Sequence, residues 1–593
     1  MGRRTACTTR IAVGLTLAVL GILAPSASAA GGAQLWLARY DGPGHSSDDA
    51  HSVAVSPDGT KVYVTGTSQG VFPAGQDYGT VAYDAATGVQ LWAARYDFRA
   101  GCCGVDRAAA LVVSRDGTRV YVTGQSGNAP VITTVAYDAA TGGQVWAARS
   151  SVAGSAAGIA VSVNGTRVYV TGTRSSPVDY ATLAYDAATG AQVWSASYNG
   201  AASRDDQASG LGVSPDGTRV YVTGTSQESS SPKVIAATTI AYDAANGSQG
   251  WIDHFSYAGS GRATALALNA DGSRLFVTGE SGAPSAPTTL AYAAPTGTRL
   301  WSARYSGAAG TGVGVAPSPD GTRVFTTGWT AGAVPGAVDY TTLGYDAATG
   351  TQSWAGVYPS PVNGNSRVRA IGVSPDSSLV FVSGSSPGVG TSDDYATLAY
   401  GAADGAQAWI ARYNGPFNGS DSAYALAVSP NGSRLFVTGS IDQYADYGTI
   451  AYDTGIAPRP AALAVPVDVR PDQCPNRLKL ASTEDLSVAI AGAPGFDARS
   501  VDPASVRLEG VAPLRYGLSD VTTPYSPYTG KTSSSQCINP GPDGIRDLAL
   551  KFSTPSLASA LAGHRAGDVV VLHLTGSLKD GTPFGGEDVV VLA

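Results

Sequence analysis

Eight tryptophans, Trp36, Trp92, Trp146, Trp194, Trp251, Trp301, Trp354 and Trp409, recur at intervals of 48 to 57 residues, each inside a copy of one phrase. The fullest copy, AYDAATGVQLW from Ala82 to Trp92, continues as AARYD and is followed by a variable stretch, a turn of SPDG type and a run such as VYVTG. A segment repeated in this way is a supersecondary unit that buries its apolar face only by stacking on its neighbours. A period of about 53 residues, made of short alternating runs and glycine-rich turns, predicts a β-propeller blade.

Within one unit, Ser52 to Val55 alternates small and apolar residues until Ser56-Pro57-Asp58-Gly59 stops it. Proline presets the second position of a type I turn and glycine accepts positive φ, so a hairpin is expected there. Val62 to Thr65, Thr80 to Tyr83 and Leu91 to Tyr96 then supply three more strands, giving four antiparallel strands per blade. Glycines in the first strand, such as Gly210, Gly212, Gly312 and Gly314, suit the crowded axis of a ring, which places the tryptophan strand outermost. The SPDG and DAATG turns then share one face. The loops after VYVTG and after ARY share the other, and because all the length variation lies there, function is expected on that face.

The ends of the repeat predict how the ring closes. The last unit reaches Asp453-Thr454-Gly455 without a tryptophan strand, while Gly32-Ala33-Gln34-Leu35-Trp36 carries the missing half of the phrase. The N-terminal strand is therefore expected to complete the eighth blade and remove both open edges.

Outside the repeat, Arg3, Arg4 and Arg10 precede an apolar stretch, and Ala27-Ser28-Ala29 provides small residues for cleavage. Residues 1–29 are read as a secretory signal cut after Ala29, so the mature chain, 30–456 as propeller, is expected to be secreted. A proline-punctuated linker at 457–464 leads to 465–593, where alternating runs predict a small antiparallel β-sandwich. No later stretch has the roughly 18 apolar residues of a membrane span. A net charge of −8 gives no reason to expect nucleic acid, and a monomer is expected. Cys102, Cys103, Cys474 and Cys537 follow the signal, an even set that favours disulfides in an exported chain, with Cys474 and Cys537 expected to pair within the terminal domain.

The string A-x-D-x-x-T-G-x-x-x-W at Ala82 to Trp92, Ala136 to Trp146 and Ala184 to Trp194 resembles the tryptophan-docking motif of the quinoprotein alcohol dehydrogenases, which are eight-bladed propellers. The intervening phrases, DGPGHSSDDA and VAVSPDGTKVYVTGTS, look more like secreted bacterial β-propeller repeat proteins of the SBBP and YVTN-like type. The resemblance implies that the eight docking tryptophans are structural, each indole packed on the neighbouring blade. It also implies a role for Cys102-Cys103, since those enzymes carry adjacent cysteines over a pyrroloquinoline quinone (PQQ) beside Ca²⁺. The short blades here offer no matching calcium or catalytic residues, and a structural or exposed thiol pair is the alternative.

Among residues that could carry chemistry, aspartates gather in the variable-face loops. Asp49, Asp106, Asp206, Asp394 and Asp421 are the candidate cation ligands, because Ca²⁺ takes six to eight oxygens. The Asp-Tyr pairs beginning at Asp77, Asp179, Asp339, Asp394 and Asp446 recur in register, which points instead to a repeated cap. Asp543 with Asp547 is a further calcium candidate, and Trp329, outside the docking register, is a candidate stacking platform. Two G-x-S-x-G matches, Gly66 to Gly70 and Gly384 to Gly388, have no helix after them, and the five histidines fall in no triad or metal spacing, so hydrolase chemistry has no carrier. The reading is an exported non-catalytic module that binds an extracellular protein or carbohydrate, with no resident cofactor. Its alternatives are a PQQ- and calcium-dependent dehydrogenase and a structural spacer.

Overall fold

The computed structural model describes residues 31–72, 75–98, 104–442, 446–457, 463–471, 473–529, 531, 533–537, 541–561, 564–579 and 582–593. The expected secretory signal, Cys102, Cys103 and most of the expected linker lie outside them.

The chain is nearly all β. In the first unit Asp49–Val55, Lys61–Gln69, Gln76–Asp84 and Gln90–Tyr96 pair antiparallel in chain order, from the axis outward. The described strands form eight such four-stranded units of a β-propeller. In the last, Ser422–Val428, Arg434–Ile441 and Asp446–Asp453 are joined by Gln34–Tyr40, whose Trp36 lies opposite Ala451 and whose Tyr40 lies opposite Tyr447. The first strand of the repeat thus completes the last unit.

One junction departs from the sequence reading. A variable loop is expected after every tryptophan strand, yet Gln144–Val161 runs unbroken, serving as outermost strand of the second unit and innermost strand of the third, so that these two share a seven-stranded sheet. The segment AARSSVAGSAAGIAV contains no proline and no Asn-Gly or Asp-Gly turn, and its Gly154, at φ 153°, holds a backbone conformation that a residue with a side chain rarely adopts.

The turns form for the reasons the sequence suggests. Gly59 and Gly88 sit at φ 72° and 74°, where a side chain would be strained. Ser56 accepts the Lys61 N–H and donates to Asp58, while Asp84 accepts from the Thr87 hydroxyl and from the Thr87 and Ala86 N–H groups, which holds its carboxyl below the usual range. Between units, Tyr63, Tyr78 and Tyr83 are fully buried with Val62, Val64 and Val81 against the adjacent sheets.

After the linker, two small sheets enclose one apolar core that includes Val467, Leu486, Phe552, Leu572 and Val590. The expected antiparallel arrangement holds for Val467–Val469, Asp485–Ile490 and Asp547–Ser553. It does not hold at Pro583–Leu592, along which Leu463–Ala464 and Asn476–Leu478 both pair parallel. Neither returns through a hairpin, so neither is bound to antiparallel pairing. Cys474 and Cys537 form a disulfide with Cα atoms 5.6 Å apart.

Candidate functional site: the loop face and the axial mouth

Every docking tryptophan serves the same purpose. The Trp36 indole N–H donates to Ala85 O in the first unit (3.1 Å), Trp92 to Ala139 O (3.2 Å), Trp146 to Ala187 O (3.0 Å), and the series runs around to Trp409 on Thr454 O (3.1 Å). Trp194, Trp251, Trp301 and Trp354 donate to Ala244, Ala294, Ala347 and Ala402 in the same manner. Each ring also covers the turn glycine of the following unit. A Cβ on Gly190 would lie 2.7 Å from the Trp146 ring, at a φ of 74°. The T-G of one phrase and the W of the preceding one therefore form a single interlocking contact.

Most loop aspartates act as clamps. Asp48, Asp106, Asp206 and Asp421 are fully buried at or just ahead of the start of innermost strands, and each accepts two backbone N–H groups across its loop. Asp106 takes those of Phe98 (3.0 Å) and Gly127 (2.9 Å), and Asp421 those of Gly415 (2.6 Å) and Asp442 (2.7 Å). Donors from two loop arms satisfy the buried carboxylate and fix the loop, which is the reason aspartate recurs there. Two of the third-strand aspartates are tied by the arginine of ARY, Asp77 to Arg95 at 2.5 Å and Asp394 to Arg412 at 2.9 Å, whereas Asp179 lies 3.9 Å from Arg174 and Asp339 accepts the Ser360 N–H at 3.0 Å. In the terminal domain Asp547 accepts from Gly492, Val521 and Thr522, while the Asp543 N–H donates to Asp520.

Two threefold groupings of carboxylates include residues that sequence reasoning missed. Asp41, Asp48 and Asp446 bring their oxygens within 4.8 Å of one another, as do Asp77, Asp97 and Asp106 at the equivalent place one unit on. Burial pushes Asp48 and Asp77 up, and Asp41 and Asp97 respectively add to this. Asp41 and Asp97 both follow the ARY phrase directly, which is the signal that could have found them. Asp49 stands apart, on the innermost strand opposite Thr67.

The strongest site geometry lies on the axis. Every innermost strand carries one bulge at the same register, with the residue between Ala50 and Ser52 in the first unit and between Ala423 and Ala425 in the last left unpaired. The same shift occurs in the other six. A bulge re-aims its side chain relative to the ladder, and here four of the eight, His51, Ala109, Arg369 and Tyr424, line one cavity, while Val313 packs into the core between units and Thr264 donates to Thr278 O and Gly312 O. Arg369, Tyr424 and His51 come from the seventh, eighth and first units, which are neighbours, and the next three units place Ala109, Ala157 and Ser209 at this level. His51 and Tyr424 have ring centroids 5.6 Å apart, and the Arg369 guanidinium lies 5.5 Å from the Tyr424 ring centroid. Together with Arg107, Gln125 and Ser155 these residues line a cavity of about 500 Å³ at the mouth of the channel.

Charge at this mouth opposes that of the chain. Arg107 donates to the neutral Gln76 side chain at 2.8 Å, and among the described residues no carboxylate forms an ion pair with Arg369. Burial pushes the His51 imidazole down; Asp49 opposes that and Arg107 adds to it. At neutral pH the wall therefore presents two guanidinium groups, a phenol and a neutral imidazole. Trp329 is half-buried opposite Thr311 and Tyr340, at the register that in the second unit carries Gln125, and it does not line the cavity.

A ring of four-stranded units, each sealed to the next by an indole and completed by the N-terminal strand, defines a repeat β-propeller protein. The family model described as outer membrane protein assembly factor BamB matches residues 76–240, 131–283 and 236–455, more than half of the sequence, and the chain belongs to that family. Solved structures with a similar course include a quinohemoprotein alcohol dehydrogenase, ADHIIG, from Pseudomonas putida HK5, at 14% identity and TM-score 0.45, covering 73% of this chain and 79% of that one. BamB from Moraxella catarrhalis is 15% identical with TM-score 0.40, covering 71% and 97%. The Dos1 propeller is 12% identical with TM-score 0.44, covering 71% and 96%. No match was found among curated proteins. Among the described residues no helix is long and apolar enough to cross a membrane.

Proposed function

We propose that this chain is an exported, non-catalytic binding protein that recognises an extracellular ligand at the axial mouth of its variable-loop face. The observation that carries the reading is the wall made by Arg369, Tyr424 and His51 with Arg107 beside a cavity of about 500 Å³. Concave sites of this size with a few convergent polar groups are where small ligands bind. Arginine pairs with carboxylates through a planar fork, and the ring of a tyrosine offers a face for a sugar. The ligand class that fits best is an acidic carbohydrate, whose carboxylate meets the arginines while its ring lies on Tyr424. The family description, an assembly factor, is in keeping with a role in binding.

The test is calorimetric titration of the mature protein with uronate-containing oligosaccharides and with their neutral counterparts. The acidic series is expected to bind and the neutral series to bind at least tenfold more weakly. Arg369→Ala should cost about 1.5–3 kcal/mol of affinity, the range for a hydrogen bond to a charged group, without changing the melting temperature. Equal binding of both series, or an unchanged affinity in the variant, would remove the assignment. Incubation with Ca²⁺ and PQQ should give no alcohol-dependent dye reduction above a heat-killed control; reduction above it would replace this reading with the dehydrogenase one.

A further inference from the structure

The core of the terminal domain contains three functional groups that apolar packing does not need. Lys531 and Asp588 have side chains only 1% exposed, and the Lys531 Nζ lies 3.0 Å from Asp588 Oδ1. Asn476 is fully buried, and its Nδ2 donates to Asp588 Oδ2 at 2.7 Å and to Val589 O at 3.2 Å. Both neighbours are acceptors, which fixes the nitrogen end of the amide. Its Oδ1 has no hydrogen-bond partner among the described residues. Among the described residues Lys531 Nζ also reaches Val467 O at 3.4 Å and the Tyr525 ring at 5.5 Å. One carboxylate thus holds a buried amine on one oxygen and a buried carboxamide on the other.

An ion pair is costly in such a place, since desolvation weighs against both charges. Passing one proton from Lys531 to Asp588 removes both charges and leaves a neutral amine, which is a nucleophile, beside a neutral acid. Burial pushes the Asp588 carboxyl up, in the direction that this transfer requires. We propose that Lys531 and Asn476 are the two ends of an intramolecular isopeptide bond, formed by the protein itself with Asp588 as the proton relay.

The step balances without any co-reactant. Neutral Lys531 Nζ attacks Asn476 Cγ, forming the Nζ–Cγ bond, and the Cγ–Nδ2 bond breaks. Proton transfers through Asp588 let the leaving nitrogen depart as ammonia, and of the five protons shared by the ammonium and the carboxamide, three leave, one stays on the new amide and one stays on Asp588. Asp588 then remains as a neutral acid, able to donate to the amide oxygen that now lacks a donor. The bond would tie together the two stretches already joined by Cys474 and Cys537, fastening the segment that runs between Arg515–Ser519 and Asp547–Ser553, which holds no strand or helix among its described residues.

Mass spectrometry of the purified full-length secreted protein decides the matter. After reduction, alkylation and digestion, a single linked peptide pair containing Lys531 and Asn476 is expected, lighter than the sum of its parts by one ammonia. Separate peptides of unaltered mass would overturn the proposal and leave a buried ion pair. Loss of water in place of ammonia would place the bond on Asp588 and overturn it equally. Lys531→Arg and Asn476→Ala should each restore the full sequence mass. Asp588→Asn retains an oxygen that can accept from Val469 but cannot relay the proton, so it should also show the full mass; persistence of the linked pair in that variant would refute the role of Asp588. Since the wild-type mass reports the bond directly, poor folding of any variant leaves the result intact.

Discussion

Removal of residues 32–40 is expected to abolish cooperative folding of the propeller, whereas removal of 463–593 should leave a ring that melts in one transition. The first deletion strips the outermost strand from the last unit, exposing the backbone of Asp446–Asp453 along its length. It also removes the Trp36 indole from Ala85 and the cover that Gly32 places over Trp409. An unpaired edge of that length is a template for association with other chains, so aggregation should accompany the loss of cooperativity. Calorimetry with size-exclusion chromatography would check it, and a monomeric deletion variant with an unchanged melt would show that the seam lies elsewhere.

Trp146→Ala should be among the most destabilising single substitutions in the chain, by about 3–5 kcal/mol, the usual range for truncating a buried aromatic. The indole loses its packing between Tyr121 and Tyr185, its hydrogen bond to Ala187 O and its cover over Gly190. Gly190→Ala approaches the same contact from the other side and should also destabilise, because the new methyl meets the ring while the backbone is held at positive φ. Trp329→Ala should cost no more than about 1 kcal/mol, as expected away from packed features. Thermal melts of the three variants side by side would check the order, and a reversal would show that the interlock contributes little.

How much of this was legible in the sequence depends on whether a feature is periodic. The tryptophans, the SPDG and DAATG turns and the split phrase at Gly455 and Gly32 repeat, and repetition turns a weak local signal into a strong one. The aspartates repeat too, yet their residue type could not distinguish a cation ligand from a clamp, because both need a carboxylate in a loop. Only the buried donors, such as the Phe98 and Gly127 N–H groups on Asp106, settle which oxygens are already engaged. The axial wall escaped notice for the opposite reason: His51, Arg369 and Tyr424 interrupt a series of small residues, and nothing in one sequence says that a bulge aims them into one cavity. Lys531, Asn476 and Asp588 had no signal, being far apart in the chain: the pairing of Asn476–Leu478 along Pro583–Leu592 brings the last two together, and Lys531 reaches them from a segment outside any strand.

The place where the repeat is split has a consequence for how the ring could be cut. A Cβ on Gly455 would lie 3.1 Å from the Gly31 backbone, so the two ends of the repeat meet inside what is, in every other unit, an intact hairpin turn. Ligating 455 to 31 and reopening the chain at another DAATG turn should give a circular permutant with the same contacts, its seam moved to a different unit. The junction at the unbroken strand Gln144–Val161 offers no such turn, since a cut there would break the strand that the second and third units share in one seven-stranded sheet. Among the described junctions it is the one place where a single strand serves two units, so new termini there would leave both short of a strand.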